Sequence, residues 1–437
     1  MRLRARRGFP SLDLWTENSM RFRIGIKYFL RKRLHRLFHI LKLRFNSTGP
    51  SGVPIIDNER RRNALPQQRY KHFFILVGLA LSLFVRVYFI DFVSTDMVQF
   101  LSWFQHLSGE GIHSVRGGFA LYLPPYNYFL FMATKLSPPL TPLQAIKAVS
   151  IVFDYVCAAY IFRLIRLAKP TGDQPWYASL AFLLTPTVFL NSAAWGQSDV
   201  VYVTGLLAFV YFSVANRPYQ SAAAFGFALA FKTQAVFLLP MVLLHTIESR
   251  DRLRYVTVIF FTYLLMLLPA LALGMPPWQI LDTYTSQVDS FPVLVAGAPN
   301  IYQWLGGSYS ETKVALAVVF TAMVAIVALI WIRRVTAKNS EHRAIQIALF
   351  FSILLPFFLP KMHERYFFPA DIFSIPFAFL YPSYAVVSIL IILASFLSYF
   401  PFLFSLKILP GYLIALLPLA ALGFLIHHLN TRAHPSR

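Results

Sequence analysis

Four ionisable side chains, Lys361, His363, Glu364 and Arg365, stand together in the stretch FFLPKMHERYFFPADIFSIPF, between two apolar runs. Upstream, Asp91, Asp96, His106, Glu110 and His113 share one polar segment, followed by Lys135 and Lys147. AAWGQSD then supplies Trp195, Gln197 and Asp199, and FKTQ supplies Lys232 and Gln234. The segment 275–311 adds Tyr284, Gln287, Asp289, Asn300 and Tyr302. These residue types suit displacement of a phosphate from a sugar. Phosphate leaves without a strong general acid if cations hold its charge, and the attacking hydroxyl needs one positioned carboxylate. Asp96 is the candidate base. Lys147, Lys232, Lys361 and Arg365 are candidate phosphate ligands, and the planar fork of Arg365 matches phosphate oxygens best. Tyr122, Tyr126, Trp195, Tyr302 and Trp304 can stack on sugar faces.

The elements that must position them are apolar. Of 437 residues, 57% are hydrophobic and 13% charged, and the mean hydropathy is positive. Apolar runs of about 16 to 22 residues recur, each long enough to cross the hydrocarbon core as a helix and too unalternating for barrel strands. The expected fold class is an all-α polytopic membrane protein. The formal charge of +22 does not point to nucleic acid, because residues 1–72 hold 18 of the 40 Lys and Arg and most others fall in short loops. Cys157 is the single cysteine, which excludes a disulfide framework and a cysteine metal site. No cleaved signal peptide is expected, since the first apolar run begins near Phe73.

Residues 1–72 read as a basic cytoplasmic tail. Ile26, Leu30, Leu34, Leu37, Leu41 and Phe45 recur at helical spacing among Arg and Lys. That pattern fits an amphipathic helix on anionic lipid, or a disordered tail that only sets orientation. Residues 46–71 read as a linker. With the tail inside, spans are expected near 73–90, 145–167, 176–192, 200–215, 219–231, 235–247, 254–274, 312–332, 343–360, 366–381, 384–402 and 411–429, about twelve in all. Residues 430–437 form a short cytoplasmic tail. This threading puts Arg217, Arg250, Arg252, Arg254, Arg333, Arg334, Lys338 and Arg432 inside. The two short runs around Lys232 read as a broken pair meeting in a funnel. Residues 120–136, with Pro124–Pro125 and Lys135, read as an amphipathic helix lying along the outer surface. All the candidate residues then collect on the face opposite the tail, where polar groups are costly unless paired, hydrated or functional.

Seven stretches in order carry a resemblance: STDMVQFLSWFQHL, LYLPPYNYFLF, IKAVSIVFDY, NSAAWGQSDVVY, FALAFKTQAVFLLP, APNIYQWL and LPKMHERYFFPAD. Together, over about 90 to 375, they resemble bacterial mannosyltransferases related to the second mannosyltransferase of GPI-anchor synthesis, of the GT-C glycosyltransferases. The resemblance implies a GT-C-like bundle over 73–429 with an amphipathic first outside loop. It implies hexose transfer, most readily of mannose, from a polyprenyl-phosphate donor to a glycan, lipid or protein acceptor on the non-cytoplasmic face. It also implies that Asp96 is the base and that the His363–Arg365 stretch meets the donor. Many such enzymes need no metal or other cofactor, and no dedicated metal site is spelled here. The host membrane would be a bacterial inner membrane, or the endoplasmic reticulum in a eukaryote.

Each residue also has a plainer reading. Asp96 can be a solvated acid or cap at the helix start Ser94-Thr95-Asp96, and Asp91 an interfacial anchor. His363, Glu364 and Arg365 can form an ion-paired helix start. Lys147 and Lys232 can snorkel. Trp195, Gln197 and Asp199 can make a structural turn, and Asp154, mid-span, can pair with a neighbouring helix, with Arg86 serving the same network or the phosphate. His106 and His113 make no convincing metal pair. A transporter or lipid flippase is the competing class, but such proteins place ionisable groups near the midplane within inverted repeats, and no repeat is visible.

Overall fold

The structure, a computed structural model, describes residues 58–249, 251–289, 292–306, 309–336 and 342–433. The basic amphipathic stretch of the tail and residues 434–437 lie outside the described residues. The chain divides into two units, Met1–Tyr70 and Lys71–Arg437. Helix α1 (Asn58–Phe89) starts well before the apolar run.

The other helices follow in short connections: α2 (Thr95–Glu110), α3 (Pro124–Thr134), α4 (Pro142–Ala168), α5 (Gln174–Leu183), α6 (Asp199–Val214), α7 (Pro218–Phe231) and α8 (Leu239–Glu248). Then come α9 (Arg252–Ala272), α10 (Pro277–Asp289), α11 (Glu311–Val335), α12 (Arg343–Phe358), α13 (Phe368–Leu380), α14 (Val386–Phe404) and α15 (Leu416–Ala433). Proline sits in the first turn of α3, α4, α5, α7, α8 and α13, where its missing N–H is harmless. Thr141 and Gln144 close a reciprocal capping box on α4. Two short strands, β1 (Val295–Ala296) and β2 (Met362–His363), pair in parallel.

Six helices are long and apolar enough to cross a membrane: α1, α4, α9, α11, α14 and the stretch Gly411–Thr431. The pair Gln174–Leu183 and Pro186–Trp195, bent by 49°, makes a seventh if it is one span. The protein is therefore a multi-pass membrane protein, with six or seven full-length candidates among the described residues against the twelve apolar runs read from the sequence. Helix does form at each of those runs. However, α6, α12, α13 and the stretch Thr233–Glu248 have only 10–17 residues. At 1.5 Å per residue, a 16-residue helix measures about 24 Å, short of the ~30 Å hydrocarbon core. Their polar ends are drawn into the protein body.

α3 packs one face into the core. Tyr126, Asn127, Leu130, Ala133 and Thr134 are buried along it, and its apolar residues join the same core cluster as α4. α2 is the amphipathic helix expected of the first loop: Met97, Phe100, Trp103, Phe104 and Leu107 face the core. Asp154 on α4 finds its partner on α1. Arg86 Nε donates to Asp154 Oδ2 at 2.8 Å, with both side chains fully buried. Ser192 Oγ donates to the same oxygen at 2.6 Å, and Arg86 also donates to the carbonyls of Ser82 and Leu183.

Candidate active site

Asp96 lies in the first turn of α2, one residue past the point where the chain turns helical. Ser94, the N-cap, does not cap the helix with its side chain; its hydroxyl donates to the Trp195 carbonyl at 2.8 Å. The Asp96 carboxylate faces the same segment. Its Oδ2 accepts from Trp195 Nε1 at 2.9 Å and from Gln197 Nε2 at 2.5 Å. Gln197 in turn accepts from the Tyr122 hydroxyl at 3.0 Å, so its amide orients both groups. The carboxyl remains 29% exposed, which leaves it reachable by a substrate.

Trp195 ends a π-helical turn, Leu190–Trp195, a local widening found most often at functional sites. Gly196 then closes the turn with φ 77°. Glycine suits this left-handed backbone, and a Cβ here would lie 2.1 Å from Met97 Cε, so the end of that flexible side chain would have to move. The buried Trp195 ring stacks on Phe402 at 4.6 Å and meets Tyr399 edge-on at 5.1 Å. That packing fixes the indole N–H on Asp96.

Cations gather on the other side. Asp199, the first residue of α6, pairs through Oδ1 with Lys232 and accepts from Asn191 Nδ2 on Oδ2 at 3.0 Å. Lys232 is extended at the break between α7 and the 3-10 turn Thr233–Leu238, and its ammonium lies 5.0 Å from the Tyr122 ring centre. Arg365 sits between the two acids. Its Nη1 is 3.9 Å from Asp96 Oδ2 and its Nε is 3.7 Å from Asp199 Oδ2. Nη1 also donates to Glu364 Oε1 at 3.1 Å. The guanidinium lies over Trp195 and Tyr366, at 5.4 and 5.8 Å from the ring centres. Its Nε is buried and makes no hydrogen bond, an open donor inside the cluster.

The loop that carries Arg365 is held by a distant one. Lys361 N–H donates to the Leu294 carbonyl at 2.7 Å, and β1 pairs with β2 just beyond. Gly297 (φ 89°) runs so close that a Cβ there would meet Glu364 Oε2 at 2.9 Å. Asn300 and Tyr302, expected near the substrate, clamp the start of this loop. Asn300 Nδ2 donates to the Leu359 carbonyl at 3.1 Å, and the Tyr302 hydroxyl to the Phe358 carbonyl at 2.7 Å. Lys361 itself has φ 60° and lays its ammonium 5.1 Å from the Tyr309 ring centre. The loop joins α12 to α13, outside the spanning helices, and burial sets its ionisation. Burial chiefly, with Arg365 and Lys232 adding to it, pushes His363 down to about 3. Burial raises Glu364, against the pull of Arg365, and Tyr122 rises for the same reason.

Lys147 stands apart from the cluster. Its fully buried ammonium donates to the carbonyls of Phe89 and Phe92, at 3.1 and 2.5 Å, tying α4 to the end of α1. Gln234 is buried beside Lys232, with its amide oxygen 3.4 Å from the Thr233 hydroxyl. Tyr126 packs with Phe100, Trp103 and Tyr122. Asp91 accepts from Gln144 at the surface, and His106 pairs with Glu110 one turn on. Among the described residues, no group of three or more His, Cys, Asp and Glu is placed to hold a metal. Two contributors carried no signal of their own in the sequence. Asn191 reaches Asp199 only because the π turn folds back on α6, and Tyr366 simply follows the ionisable run.

Short helices deliver five segments to one cluster: α2, the π turn, the head of α6, the break at Lys232 and the 361–366 loop. Fold and site define a multi-pass helical membrane protein with an acid–cation centre walled by aromatic rings. The chain belongs to glycosyltransferase family 87, whose model matches residues 121–359. The matched region takes in Tyr122, Trp195, Gln197, Asp199 and Lys232; Asp96 and Arg365 lie just beyond its two ends. No curated protein matches the chain.

Proposed function

We propose that this glycosyltransferase is an inverting hexosyltransferase that takes mannose from a polyprenyl-phosphate donor and gives it to a hydroxyl of a glycan, lipid or protein acceptor. The observation that carries the reading is the meeting of Asp96 and Arg365 at 3.9 Å within one aromatic-walled cluster. Asp96 takes the acceptor proton on Oδ1, since both its hydrogen bonds go to Oδ2. The acceptor oxygen attacks the anomeric carbon from the face opposite the phosphate. The bond from that carbon to the phosphate oxygen breaks, and its electron pair leaves with the phosphate. Arg365, whose Nε makes no hydrogen bond, and Lys232 hold the charge that develops there. Tyr122 borders the space for the sugar, Trp195 is buried behind Asp96 and Arg365 and supports them rather than stacking on the sugar, and His363, held neutral, offers a hydrogen bond without adding charge.

In this reading side chains hold the leaving phosphate, and the step does not require a metal or other cofactor. The active face is non-cytoplasmic, in a bacterial inner membrane or the endoplasmic reticulum, and the basic tail holds anionic lipid on the other side. The test is transfer of radiolabelled mannose by the purified full-length protein. Transfer is expected from polyprenyl-phosphate mannose and not from a nucleotide sugar. Turnover of the nucleotide sugar alone would overturn the donor assignment, and vesicle uptake of a solute with no transfer would favour a transporter.

A further inference from the structure

A cavity of about 600 Å³ opens at the far end of the helices that carry the candidate active site. α6 starts at Asp199 in the site and ends beside the cavity, which Ser213 and Val214 line. α7 starts at the cavity with Pro218 and ends just before Lys232, and α12 runs from Arg343 in the cavity wall to Phe358, just before the Lys361–Arg365 loop. Helices of this length separate their two ends by about 20 to 24 Å. The cavity is therefore a second place, distinct from the cluster around Asp96.

Its chemistry suits an anion. α7, α9 and α12 all begin at the cavity, and none has a side-chain cap on its first-turn N–H groups. Such helix starts carry partial positive charge and open donors. α6 and α8 end there, and Arg343 answers that opposite pole by gripping Glu248 through both terminal nitrogens, at 2.6 and 2.8 Å. Arg217 is the other lining cation, exposed and without an ion pair among the described residues. Arg252 and Arg254 occupy the first turn of α9 beside it. Inside the cavity, Tyr255 is 2% exposed and its hydroxyl has no hydrogen-bond partner. The nearby Ser221 hydroxyl already donates to the Phe209 carbonyl at 3.0 Å. A buried hydroxyl at the wall of a polar cavity can take a further oxygen, from a ligand or a water, as its partner. From the rim, α9 shows an exposed apolar track of Leu253, Val256, Phe260 and Phe261.

We propose that this cavity binds the anionic phosphate headgroup of a glycerophospholipid. The phosphate sits against Arg217 and the three helix starts, a glycerol oxygen meets the Tyr255 hydroxyl, and an acyl chain follows the apolar track of α9. Basic pockets between spanning helices are suited to such headgroups.

The experiment titrates the purified full-length protein with short-chain phosphatidylglycerol, short-chain phosphatidylcholine and glycerol 3-phosphate, reading thermal shift and lipid adducts by native mass spectrometry. Phosphatidylglycerol is expected to bind and stabilise, and phosphatidylcholine to bind more weakly. Arg217→Gln and Tyr255→Phe should each weaken phosphatidylglycerol by about fivefold, the effect of one surface charge or one hydrogen bond. Arg217→Gln should melt like the wild type without lipid, because that side chain has no ion pair to lose among the described residues, and Tyr255→Phe keeps the ring beside Ser221. Glycerol 3-phosphate binding as tightly, with the same dependence on both residues, would overturn the lipid assignment in favour of a soluble phosphate. Equal binding of the two lipids, or affinity unchanged in both variants, would overturn the site.

Discussion

Asp96 Oδ2 and Arg365 Nη1 lie 3.9 Å apart, although one lies in the first turn of α2 and the other follows the ninth of the apolar runs. The gap is too long for a hydrogen bond and short enough for each charge to orient the other. A reacting group that sits beside the pair, on the Oδ1 side of Asp96, meets an acid and a cation together.

Gly196→Ala should reduce transfer by about 10- to 100-fold, because small displacements of a positioned base are amplified in rate. The added Cβ would lie 2.1 Å from Met97 Cε, and Met97 is the neighbour of Asp96. The double variant with Met97→Ala should recover part of the loss, leaving only the left-handed backbone penalty of about 1–2 kcal/mol. Initial rates of the two variants measure this. Equal rates would show that the contact with α2 is unimportant.

Asp199 holds Lys232 and lies 3.7 Å from Arg365 Nε. Asp199→Asn leaves a buried ammonium unpaired, and breaking such a pair typically costs about 3–5 kcal/mol. The variant should melt earlier and show a raised KM for the donor. Adding Lys232→Met should restore stability without restoring transfer. Recovery of transfer in the double variant would remove Lys232 from the phosphate site.

The 361–366 loop should give the protein two opposing pH responses. Folding depresses His363 to about 3, so the stability its neutral form provides is complete above the unfolded value near 6.5 and is lost as pH falls below it. One such proton gives a slope of at most about 1.4 kcal/mol per pH unit. Folding raises Glu364, so its protonated form is favoured and its contribution grows as pH falls. Melting temperatures between pH 7 and 5 should therefore fall less steeply in His363→Asn than in the wild type, and more steeply in Glu364→Gln. Identical slopes in all three proteins would contradict these burial effects.

Much of this arrangement was legible in the residues. Hydropathy located the helices, and the ionisable groups of STD, WGQSD, FKTQ and KMHER do converge. Helix length was less legible, because an apolar run does not show where α6 or α12 stops short of a bilayer. The clamping roles of Asn300, Tyr302 and Lys147 were also hidden. Each acts by bonding to a backbone carbonyl of a distant segment, and carbonyls leave no trace in residue type. Asn191 escaped notice because a π turn breaks the helical spacing that would have related it to Asp199.

Asp96 carries the central claim, and the most direct measurement is mannose transfer from a polyprenyl-phosphate donor by wild type and Asp96→Asn, with donor binding measured on both. Asparagine keeps the shape of the group at the Trp195 and Gln197 contacts but cannot take the acceptor proton. Transfer should fall by at least about 100-fold, in the range expected for loss of a general base, with donor affinity nearly unchanged. Full transfer by Asp96→Asn would contradict the account.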